Sequence, residues 1–308
     1  MWVSLGSLAG TPKRIYSFAR CADRHYASAT EGKGDDMAKC AFLGPSGTFS
    51  EEALIALGRT PAEGLPCASI DEVFESVARG LAECGVVPIE NSVEGSVNAT
   101  LDALAFDTQL EIQSELVLDI HHALITAPGA SLAEVKTIVS HPQATGQCRR
   151  WLARNLPGRG IVAANSTAEA VQRAVADPTI AAVGTRLAAE LHGGVIVEPA
   201  IEDYADNQTR FVVIGRGLRE RTGRDKTSLA LFMKQDKPGT LHMILSEFVF
   251  GQINLTKIQS RPTKRSLGEY MFFVDLEGHF EDSNVRLALD CLRLKLREVK
   301  VLGSYPRA

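Results

Sequence analysis

The stretch IQSELVLDIHHALI at residues 112–125 does most to decide the fold, because it predicts a long β-strand that carries the chain from one layer into another. Two later apolar runs, GVIVEPAI (194–201) and TRFVVIG (209–215), predict the return. Together the three stretches indicate two α/β lobes between which the chain crosses twice. A cleft between such lobes suits small anionic molecules, because helix N-termini around it direct free N–H groups and partial positive charge inward.

Between residues 40 and 217, short apolar runs alternate with helical patterns, which is typical of an α/β protein. The other predicted strands are CAFLG (40–44), CGVVPIE (84–90), KTIVSH (136–141), GIVAAN (160–165) and IAAVG (180–184). Helix starts are predicted at Pro142 and at three capping boxes, Thr48–Glu51, Ser69–Glu72 and Ser166–Glu169. We place a catalytic domain of two α/β lobes at residues 38–217.

A polar, charged segment, RERTGRDK (219–226), follows Gly217 and predicts a linker over residues 218–226. Beyond it, residues 227–306 show the order strand, helix, strand, strand, helix, strand, which predicts a ferredoxin-like sandwich of ordinary small-domain size. The predicted strands are TSLALFMKQ (227–235), INLTKIQS (253–260), EYMFFVDLEG (269–278) and VKVLGSY (299–305), and the predicted helices span 238–250 and 285–299.

The composition narrows the class of protein. With 308 residues, 45% hydrophobic and 23% charged, the chain is expected to be a soluble globular protein of two domains. A net charge of -4 without a basic stripe argues against nucleic acid, and no apolar run is long enough to span a bilayer. The six cysteines and seven histidines lack the spacing of metal ligands, so we predict no metal and reduced thiols in the cytoplasm.

Residues 1–37 differ from the rest, because basic residues are set among Ser and Ala and Asp23 is the only acidic residue before Glu31. This composition loosely resembles a transit peptide. Alternatively, translation begins at Met37, whose following residues run directly into the first predicted strand. On either interpretation we expect a disordered extension.

Five segments resemble, in order and in spacing, the signature segments of prephenate dehydratases. They are FLGPSGTFS (42–50), PIENSVEGSV (88–97), SHPQATGQC (140–148), NSTAEA (165–170) and NQTRFVVIG (207–215). Two later segments, GQINLTKIQSRP (251–262) and LGEYMFFVDLEGH (267–279), are similar to the ACT domain that usually follows in this family. The resemblance covers residues 40–306.

The resemblance implies a lyase that converts prephenate to phenylpyruvate in phenylalanine biosynthesis, without a cofactor. It implies a catalytic body shaped like a type II periplasmic binding protein, with the substrate between the lobes, and an ACT domain that binds L-phenylalanine as a feedback effector. It also implies a homodimer or homotetramer. Another common arrangement in the family adds an N-terminal chorismate mutase helix bundle, which 37 residues cannot supply, so we expect no mutase activity.

The resemblance assigns proton donation to Thr209, in the T-R-F segment, although a β-branched residue that merely begins a strand would also fit. Asn91, Ser140 and Gln147 are the other candidate catalytic residues, because amides and hydroxyls can donate to substrate oxygens without neutralising the site. Ser140 could equally lie beside the cap of a helix, and Gln147 could face solvent.

Three residues in Gly-containing turns, Ser46, Thr48 and Ser92, are candidates for binding a substrate carboxylate, although Thr48 is equally explained as a helix cap. Arg210 could pair with a carboxylate. As the strand neighbour of Thr209 it should face the other way, which favours a packing role.

Other polar residues near these segments are interpreted as structural. Glu90 and Glu94 flank Asn91, but two ionised carboxylates would repel a dianionic substrate, so we expect Glu90 to be structural. His141 lacks a nucleophile and an acid partner and is also expected to be structural. The motif G-P-S-G-T (44–48) matches neither the dinucleotide fingerprint nor a Walker loop, so no nucleotide is predicted.

The resemblance also implies an effector site for phenylalanine in the C-terminal domain. The family more often has Ala, an aromatic residue and Glu where this chain has Thr240, His242 and Gln259, which bears on the affinity and identity of the effector. The implied effector residues are Gly239, Thr240, Leu241, Asn254, Leu255, Gln259, Ser260, Arg261 and Pro262.

Two alternatives to prephenate dehydratase are considered. Arogenate dehydratase acts on the aminated form of the same substrate and would show the same motifs. A non-catalytic sensor of amino acids or carboxylates would have a similar cleft and effector domain. The set Asn91, Ser140, Gln147 and Thr209 argues against the sensor, because a sensor does not need a proton donor.

Overall fold

Two β-sheets with helices packed on them make up the part of the chain that the computed structural model describes, residues 39–235, 237–264 and 269–308. The predictions for residues 1–37 lie outside it. The strands are β1 (Cys40–Leu43), β2 (Gly64–Cys67), β3 (Cys84–Asn91), β4 (Gly95–Ser96), β5 (Glu111–Asp119), β6 (Ala123–Thr126), β7 (Thr137–Ser140), β8 (Gly160–Ala163), β9 (Ile180–Gly184), β10 (Val195–Glu198), β11 (Gln208–Gly215), β12 (Asp225–Phe232), β13 (Leu255–Pro262), β14 (Tyr270–Glu277) and β15 (Glu298–Pro306).

The helices vary from one turn to three or four. They are α1 (Phe49–Ala56), α2 (Ile70–Ala78), α3 (Asn98–Asp102), α4 (Pro142–Gln147), α5 (Arg149–Asn155), α6 (Thr167–Ala176), α7 (Arg186–His192), α8 (Thr240–Phe250) and α9 (Ser283–Lys295). A short 3-10 turn (Pro61–Glu63) and a π-helical turn (Ala103–Asp107) accompany them. None of these helices is long and apolar enough to cross a membrane.

Each sheet mixes parallel and antiparallel strands. The larger has ten strands in the order β13-β14-β12-β15-β5-β11-β3-β1-β2, with β4 paired to β3, and the smaller has the order β10-β6-β9-β7-β8. We call the part built on β1–β5 and β11 the first lobe, the part built on β6–β10 the second lobe, and the part from β12 onward the C-terminal unit. The predicted mixed α/β class is confirmed at this level.

The predicted long strand at residues 112–125 is two strands in different sheets, β5 and β6, so the prediction of one strand is wrong. Between them, the backbone N–H of Ile120 donates to the carbonyl of Asn207 (2.8 Å), and that of Ile201 donates to the carbonyl of His122 (2.9 Å). The returning segment 201–207 therefore satisfies the crossing residues in place of a sheet neighbour. An apolar run in a sequence does not show which backbone groups will hydrogen-bond to it, so it cannot show that one strand is divided between two sheets.

Two short strands, β2 and β4, have no counterpart among the predicted strands. The sequence of β2 is GLPC, and its Gly64 and Pro66 weaken any strand pattern. Proline is tolerated there because β2 lies at the edge of the sheet. β4 contains only Gly95 and Ser96, which pair with Asn91 and Glu90 at the end of β3. This pairing closes the turn between β3 and β4.

The predicted capping boxes form only in part. The hydroxyls of Ser69 and Ser166 accept from the N–H groups of Glu72 and Glu169 over 3.1 and 3.0 Å. The two glutamate carboxylates, however, accept from the backbone N–H one residue before each cap. At α1 no side-chain cap bond forms, whereas α4 begins at Pro142 as predicted. Helix starts are thus readable from sequence even where the detailed bonding differs.

The C-terminal unit has the predicted order β12, α8, β13, β14, α9, β15. Its strands are antiparallel, and α8 and α9 cover one face through a core that includes Leu229, Phe248 and Leu289. β15 also lies beside β5, where Gly303 is opposite Ile112. A Cβ on Gly303 would come within 2.5 Å of the Ile112 carbonyl oxygen, so this close approach requires glycine.

The core of the first lobe continues into the C-terminal unit. One apolar cluster contains Val87 and Ile112 from the first lobe together with Phe232, Phe273 and Tyr305 from the C-terminal unit. Because the same buried surface is shared, removing either part would expose apolar area of the other. The two parts therefore stabilise each other.

Candidate active site

β3 and β11 bring two candidate catalytic residues together. The antiparallel register sets Asn91 opposite Thr209. Asn91 Nδ2 donates to Thr209 Oγ1 over 2.9 Å and to Asn207 Oδ1 over 2.8 Å, and lies 3.1 Å from the carbonyl oxygen of Gln208. Asn91 and Thr209 are only 7% and 8% exposed, so these bonds are sheltered from water.

The other end of the Asn91 amide closes the turn after β3. Its Oδ1 accepts from the backbone N–H groups of Val93 and Glu94, each over 2.9 Å. Asparagine commonly makes such side-chain bonds to backbone two or three residues on. Asn91 is therefore held at both ends, by the turn and by β11.

Gln147, the last residue of α4, joins these side chains from the second lobe. We call the connected residues Asn91, Asn207, Thr209, Gln147 and His122 the Asn91 group. Gln147 Oε1 accepts from Asn207 Nδ2 and from the ring nitrogen Nε2 of His122, each over 2.9 Å. Its Nε2 donates to Glu94 Oε1 over 3.2 Å. Gln147 is 7% exposed, so the prediction of a solvent-facing residue does not apply, and its contacts join the two lobes.

His122 lies behind Gln147 and is 3% exposed. Phe49 packs edge-on against its ring, with centroids 5.3 Å apart. Burial lowers the pKa of His122, although the hydrogen bond to Gln147 and the charge of Glu202 oppose the shift. Its neighbour His121 points the other way and contacts Glu202 over 2.8 Å. The pair lies between β5 and β6, in the part of the predicted strand 112–125 that is not a strand.

The hydroxyl proton of Thr209 is uncommitted within the described part of the chain. Thr209 Oγ1 accepts from Asn91, and no described residue accepts a hydrogen bond from it. A hydroxyl has one hydrogen to donate and two lone pairs. Thr209 can therefore donate to a bound molecule while it still accepts from Asn91.

Ser140 is used differently. Its hydroxyl donates to the carbonyl of Val183 over 2.6 Å, and the residue is completely buried. This bond links β7 to β9 inside the second lobe. Its single hydrogen is therefore occupied, and no hydrogen bond within the described part of the chain joins Ser140 to Asn91, Gln147 or Thr209.

The two turns contribute hydroxyl groups of different kinds. Ser46 is exposed, and Thr48 donates to the carbonyl of Leu43 over 3.1 Å. Ser92 donates to the carbonyl of Asp206 over 3.2 Å and accepts from the N–H of Gln208 over 2.9 Å. Ser92 thus ties the turn after β3 to the start of β11, while Ser46 is free of such bonds among the described contacts.

Arg210 faces away from Thr209, as strand alternation predicts. Its guanidinium contacts Asp275 of the C-terminal unit over 2.8 Å, Glu115 over 3.2 Å and Glu90 over 3.6 Å. Burial works against the charged form, but Asp275, Tyr305 and Glu115 outweigh it and raise the pKa of Arg210. The structure therefore places Arg210 in an ion cluster between the first lobe and the C-terminal unit, apart from the Asn91 group.

Glu90, Glu94 and His141 also have defined partners. Glu90 contacts Lys257 over 3.1 Å as well as Arg210, which agrees with the structural role expected of it. His141 Nδ1 accepts from the N–H of Gln143 over 3.3 Å and so caps α4. Glu94 contacts Asn91 through its backbone N–H and Gln147 through its carboxylate.

The implied effector residues divide between two surfaces. On β13, Gln259 accepts from Ser96 Oγ over 2.5 Å and Arg261 contacts Asp102 over 2.5 Å, so both face the first lobe. Ser260 and Pro262 alternate with them and are exposed, as is Asn254 before the strand, whereas Leu255 is half-buried. Gly239, Thr240 and Leu241 begin α8, where the Thr240 hydroxyl donates to the carbonyl of Lys237 (2.9 Å).

Sequence reasoning missed two members of the group, Asn207 and His122. Asn207 is 2% exposed and contacts both Asn91 and Gln147, so it joins the two sets. Asn207 is the first residue of the signature segment NQTRFVVIG, two residues before Thr209, and this is the signal that could have marked it. For His122, the signal is a histidine within an otherwise apolar run.

Within residues 39–235, 237–264 and 269–308, no group of three or more His, Cys, Asp or Glu side chains is placed to hold a metal ion. The candidate site is built instead from amide, hydroxyl and imidazole groups. Such groups bind substrate oxygens by donating hydrogen bonds.

Comparison with known proteins assigns the chain to a family. The family model for prephenate dehydratase matches residues 40–218. The bifunctional chorismate mutase/prephenate dehydratase of Aquifex aeolicus is 43% identical over 270 residues, covering 88% of this chain and 74% of that protein. The prephenate dehydratase of Mycolicibacterium vanbaalenii is 41% identical over 286 residues, covering 88% and 91%.

A solved structure agrees. The crystal structure of prephenate dehydratase from Arthrobacter aurescens in complex with L-Phe has 39% sequence identity and a TM-score of 0.80, covering 88% of this chain and 90% of that chain. The match extends over both lobes and into the C-terminal unit. The chain therefore belongs to the prephenate dehydratase family, whose members are carbon–oxygen lyases.

Proposed function

We propose that the chain dehydrates and decarboxylates prephenate with Thr209 as the proton donor, supported by Asn91 and Gln147. The observation that carries this proposal is the 2.9 Å hydrogen bond in which Asn91 Nδ2 donates to Thr209 Oγ1. That bond leaves the Thr209 proton available and stabilises negative charge as it develops on the oxygen. A threonine hydroxyl is a weak acid, so such support is needed for it to act.

The reaction then proceeds with a balanced set of bonds. The ring C–O bond breaks, and the departing oxygen takes its electron pair and a proton from Thr209 to leave as water. The bond to the ring carboxylate breaks as well, its electron pair enters the ring, and carbon dioxide leaves. The ring becomes aromatic, which drives the reaction, and Thr209 recovers a proton from solvent.

Gln147 contributes binding of a dianionic substrate. Its Nε2 carries two hydrogens, and only one is needed for the bond to Glu94. The other can donate to a substrate oxygen without adding a charge. We expect most of the rate acceleration to come from these donors, because they hold the substrate with its breaking bonds correctly oriented.

The test is phenylpyruvate formation by Thr209→Ala, Thr209→Ser and the unchanged protein. Loss of a general acid costs about 10²- to 10⁴-fold in rate, so Thr209→Ala should lose kcat to that extent. Thr209→Ser keeps the hydroxyl and should retain much of the activity. Similar kcat values for Ala and Ser would eliminate the proton-donor role, because both variants lose the methyl group but only one loses the hydroxyl.

Arogenate is the alternative substrate. It carries an ammonium group where prephenate carries a keto oxygen, so donors such as Gln147 would serve one better than the other. Parallel assays with both compounds decide between them. A higher kcat/KM for arogenate would replace prephenate as the preferred substrate.

The fold supports a finer description of the architecture. Two sheets joined by two crossings, with the candidate site where the lobes meet, are the features of a type II periplasmic-binding-protein-like catalytic domain at residues 38–217. The antiparallel order β13-β14-β12-β15 with two helices on one face supports a ferredoxin-like ACT domain at residues 227–306. The proposed linker, residues 218–226, overlaps the start of β12 by two residues, Asp225 and Lys226.

L-Phenylalanine is the proposed effector of the C-terminal unit. The structure from Arthrobacter aurescens contains L-Phe, which supports an effector of that kind here. In this chain β13 contacts residues on both sides of Asn91, through Lys257 with Glu90 and through Gln259 with Ser96. A ligand that changes β13 would therefore act on the residues next to Asn91.

The resemblance to the family supports an oligomer, and the scattered cysteines support reduced thiols in the cytoplasm. We expect a homodimer or homotetramer in the cytoplasm. Light scattering of the purified protein measures the first directly, and a monomer at micromolar concentration would contradict it.

A further inference from the structure

The hydrogen-bond directions in the site can be derived from two backbone groups. A backbone N–H can only donate, so the atom of Asn91 that faces Val93 and Glu94 must be its carbonyl oxygen. Its amide nitrogen then faces Asn207 and Thr209. The orientation of this first amide is therefore fixed by the chain itself.

The orientation of the Asn91 amide fixes the donors and acceptors of the next residues as far as the second lobe. The atom of Asn207 that faces the Asn91 amide must accept, so it is Oδ1, and Nδ2 of Asn207 faces Gln147. The facing atom of Gln147 must in turn accept, so it is Oε1. His122 contacts that same oxygen over 2.9 Å, and therefore its Nε2 must carry the proton.

We infer that Asn207 and His122 are positioning residues which, by donating together to Gln147 Oε1, fix the Gln147 amide with its Nε2 hydrogens toward Glu94 and the cleft. The inference rests on the proposed role of Gln147 in binding substrate. Neither residue touches the reacting atoms. Both act through the orientation of one amide.

Two donors on one oxygen make the wrong orientation costly. If the Gln147 amide turned over, its NH₂ group would face two donors, and its oxygen would face the Glu94 carboxylate. It would also present an acceptor to a dianionic substrate. Each of these contacts is repulsive, so the arrangement selects a single orientation.

The surroundings of His122 agree with a neutral donor. Burial lowers its pKa, and Phe49 covers the ring. Nδ1 is buried and has no hydrogen-bond partner in the described part of the chain, as expected if it is the unprotonated nitrogen. The groups that face the ring besides Gln147 are Phe49, Glu202 and His121.

The first test compares His122→Phe with His122→Gln. Phenylalanine keeps a ring but removes the donor, whereas the Nε2 of glutamine can take the place of the imidazole Nε2–H. We expect kcat/KM for prephenate to fall about 10- to 100-fold in His122→Phe, because a Gln147 amide that can turn over loses part of its hydrogen bond to the charged substrate. In His122→Gln, kcat/KM should recover in large part. Equal losses in both would show that only shape matters and would overturn the inference.

The second test is a double-mutant cycle with Gln147→Ala. If His122 acts through Gln147, the His122→Phe penalty should disappear once Gln147 is absent, and the donor-removing change Asn207→Asp should lose most of its effect too. Fully additive penalties would overturn the inference even if one variant were less stable. Full activity of Gln147→Ala alone would instead contradict the proposed substrate role of Gln147.

A third measurement does not depend on turnover. Nitrogen-15 NMR of histidine-labelled protein should show His122, assigned by loss of its signals in His122→Gln, with Nε2 protonated and Nδ1 bare at neutral pH. In Gln147→Ala that fixed state should be lost. A proton on Nδ1, or titration of His122 near pH 6.5 in the unchanged protein, would overturn the inference whatever the assays show.

Discussion

Asn91 is the residue at which the hydrogen bonds of the site converge. Its oxygen accepts from two backbone N–H groups, and its nitrogen donates to Asn207 and Thr209. Every later direction in the network depends on this amide. Its two ends are therefore separable by substitution, because aspartate keeps the acceptor and loses the donor.

Asn91→Asp is expected to lower kcat by about 10²- to 10³-fold at neutral pH, the usual effect of removing one donor to developing negative charge. The protonated carboxyl regains an O–H donor, so kcat of this variant should rise as the pH falls. Steady-state assays between pH 4.5 and 8 measure both effects.

Asn98→Asp is the matched control, since Asn98 is exposed at the start of α3. It makes the same change of charge at the first residue of α3 and should leave kcat nearly unchanged. Equal losses in Asn91→Asp and Asn98→Asp would mean that charge near the cleft, and not the lost donor, is responsible.

Elements differ in how far the sequence determines them. The C-terminal order of strands and helices was predictable, because three of its four strands (β12, β14 and β15) are rich in apolar residues and its helices show the apolar repeat of a helix. The break at residues 120–122 and the edge strand β2 were not, since the first depends on bonds to the returning segment and the second contains Gly64 and Pro66. The site shows the same division: T-R-F marks Thr209, whereas the role of Asn207 depends on contacts made only in three dimensions.

The ion cluster that joins β11 to β14 leads to a prediction of stability. Arg210 and Asp275 have side-chain exposures of 12% and 7%, and Arg210 also contacts Glu115 and Glu90. Removing the guanidinium in Arg210→Ala would leave the buried Asp275 carboxylate without a cationic partner among the described residues, whereas Glu115 and Glu90 would keep Lys226 and Lys257. We expect the free energy of unfolding to fall by about 3–5 kcal/mol.

Urea unfolding followed by circular dichroism measures this change. The control is Arg293→Ala on α9, whose contact with Asp290 is exposed at 47% and 59% and should contribute less than about 1 kcal/mol. A loss in Arg210→Ala no larger than that of the control would mean that water reaches the cluster and that it does not hold the two parts together.

At the scale of the whole molecule, one sheet runs from the C-terminal unit through the first lobe, and one apolar cluster fills both. β13 forms one edge of that sheet, and its inward residues contact the first lobe through Ser96, Glu90 and Asp102. Because the C-terminal unit and the first lobe share a sheet and a core, a ligand that binds one of them can shift the conformation of both. The proposed feedback by phenylalanine therefore has to pass through only the few contacts between β13 and the first lobe.

Phenylalanine is expected to inhibit turnover of prephenate, and Ser96→Ala should weaken that inhibition without abolishing phenylalanine binding. The substitution removes the hydrogen bond to Gln259 but changes no implied effector residue. Coupling between two sites is typically 1–3 kcal/mol, or about 5- to 150-fold in affinity. We expect Ser96→Ala to reduce that factor at least about threefold, measured from prephenate kinetics at several phenylalanine concentrations together with calorimetric binding.

Ser260→Ala is the matched control, because Ser260 lies on the same strand and faces solvent. If it serves the effector as the resemblance implies, it should weaken phenylalanine binding and leave the coupling factor unchanged. Unaltered coupling in Ser96→Ala would exclude the β13 contact as the route, whereas phenylalanine that binds the unchanged protein without affecting turnover would exclude feedback itself. Because linkage is reciprocal, prephenate must weaken phenylalanine binding by the same factor by which phenylalanine weakens prephenate binding, which gives an independent measure of the coupling in each variant.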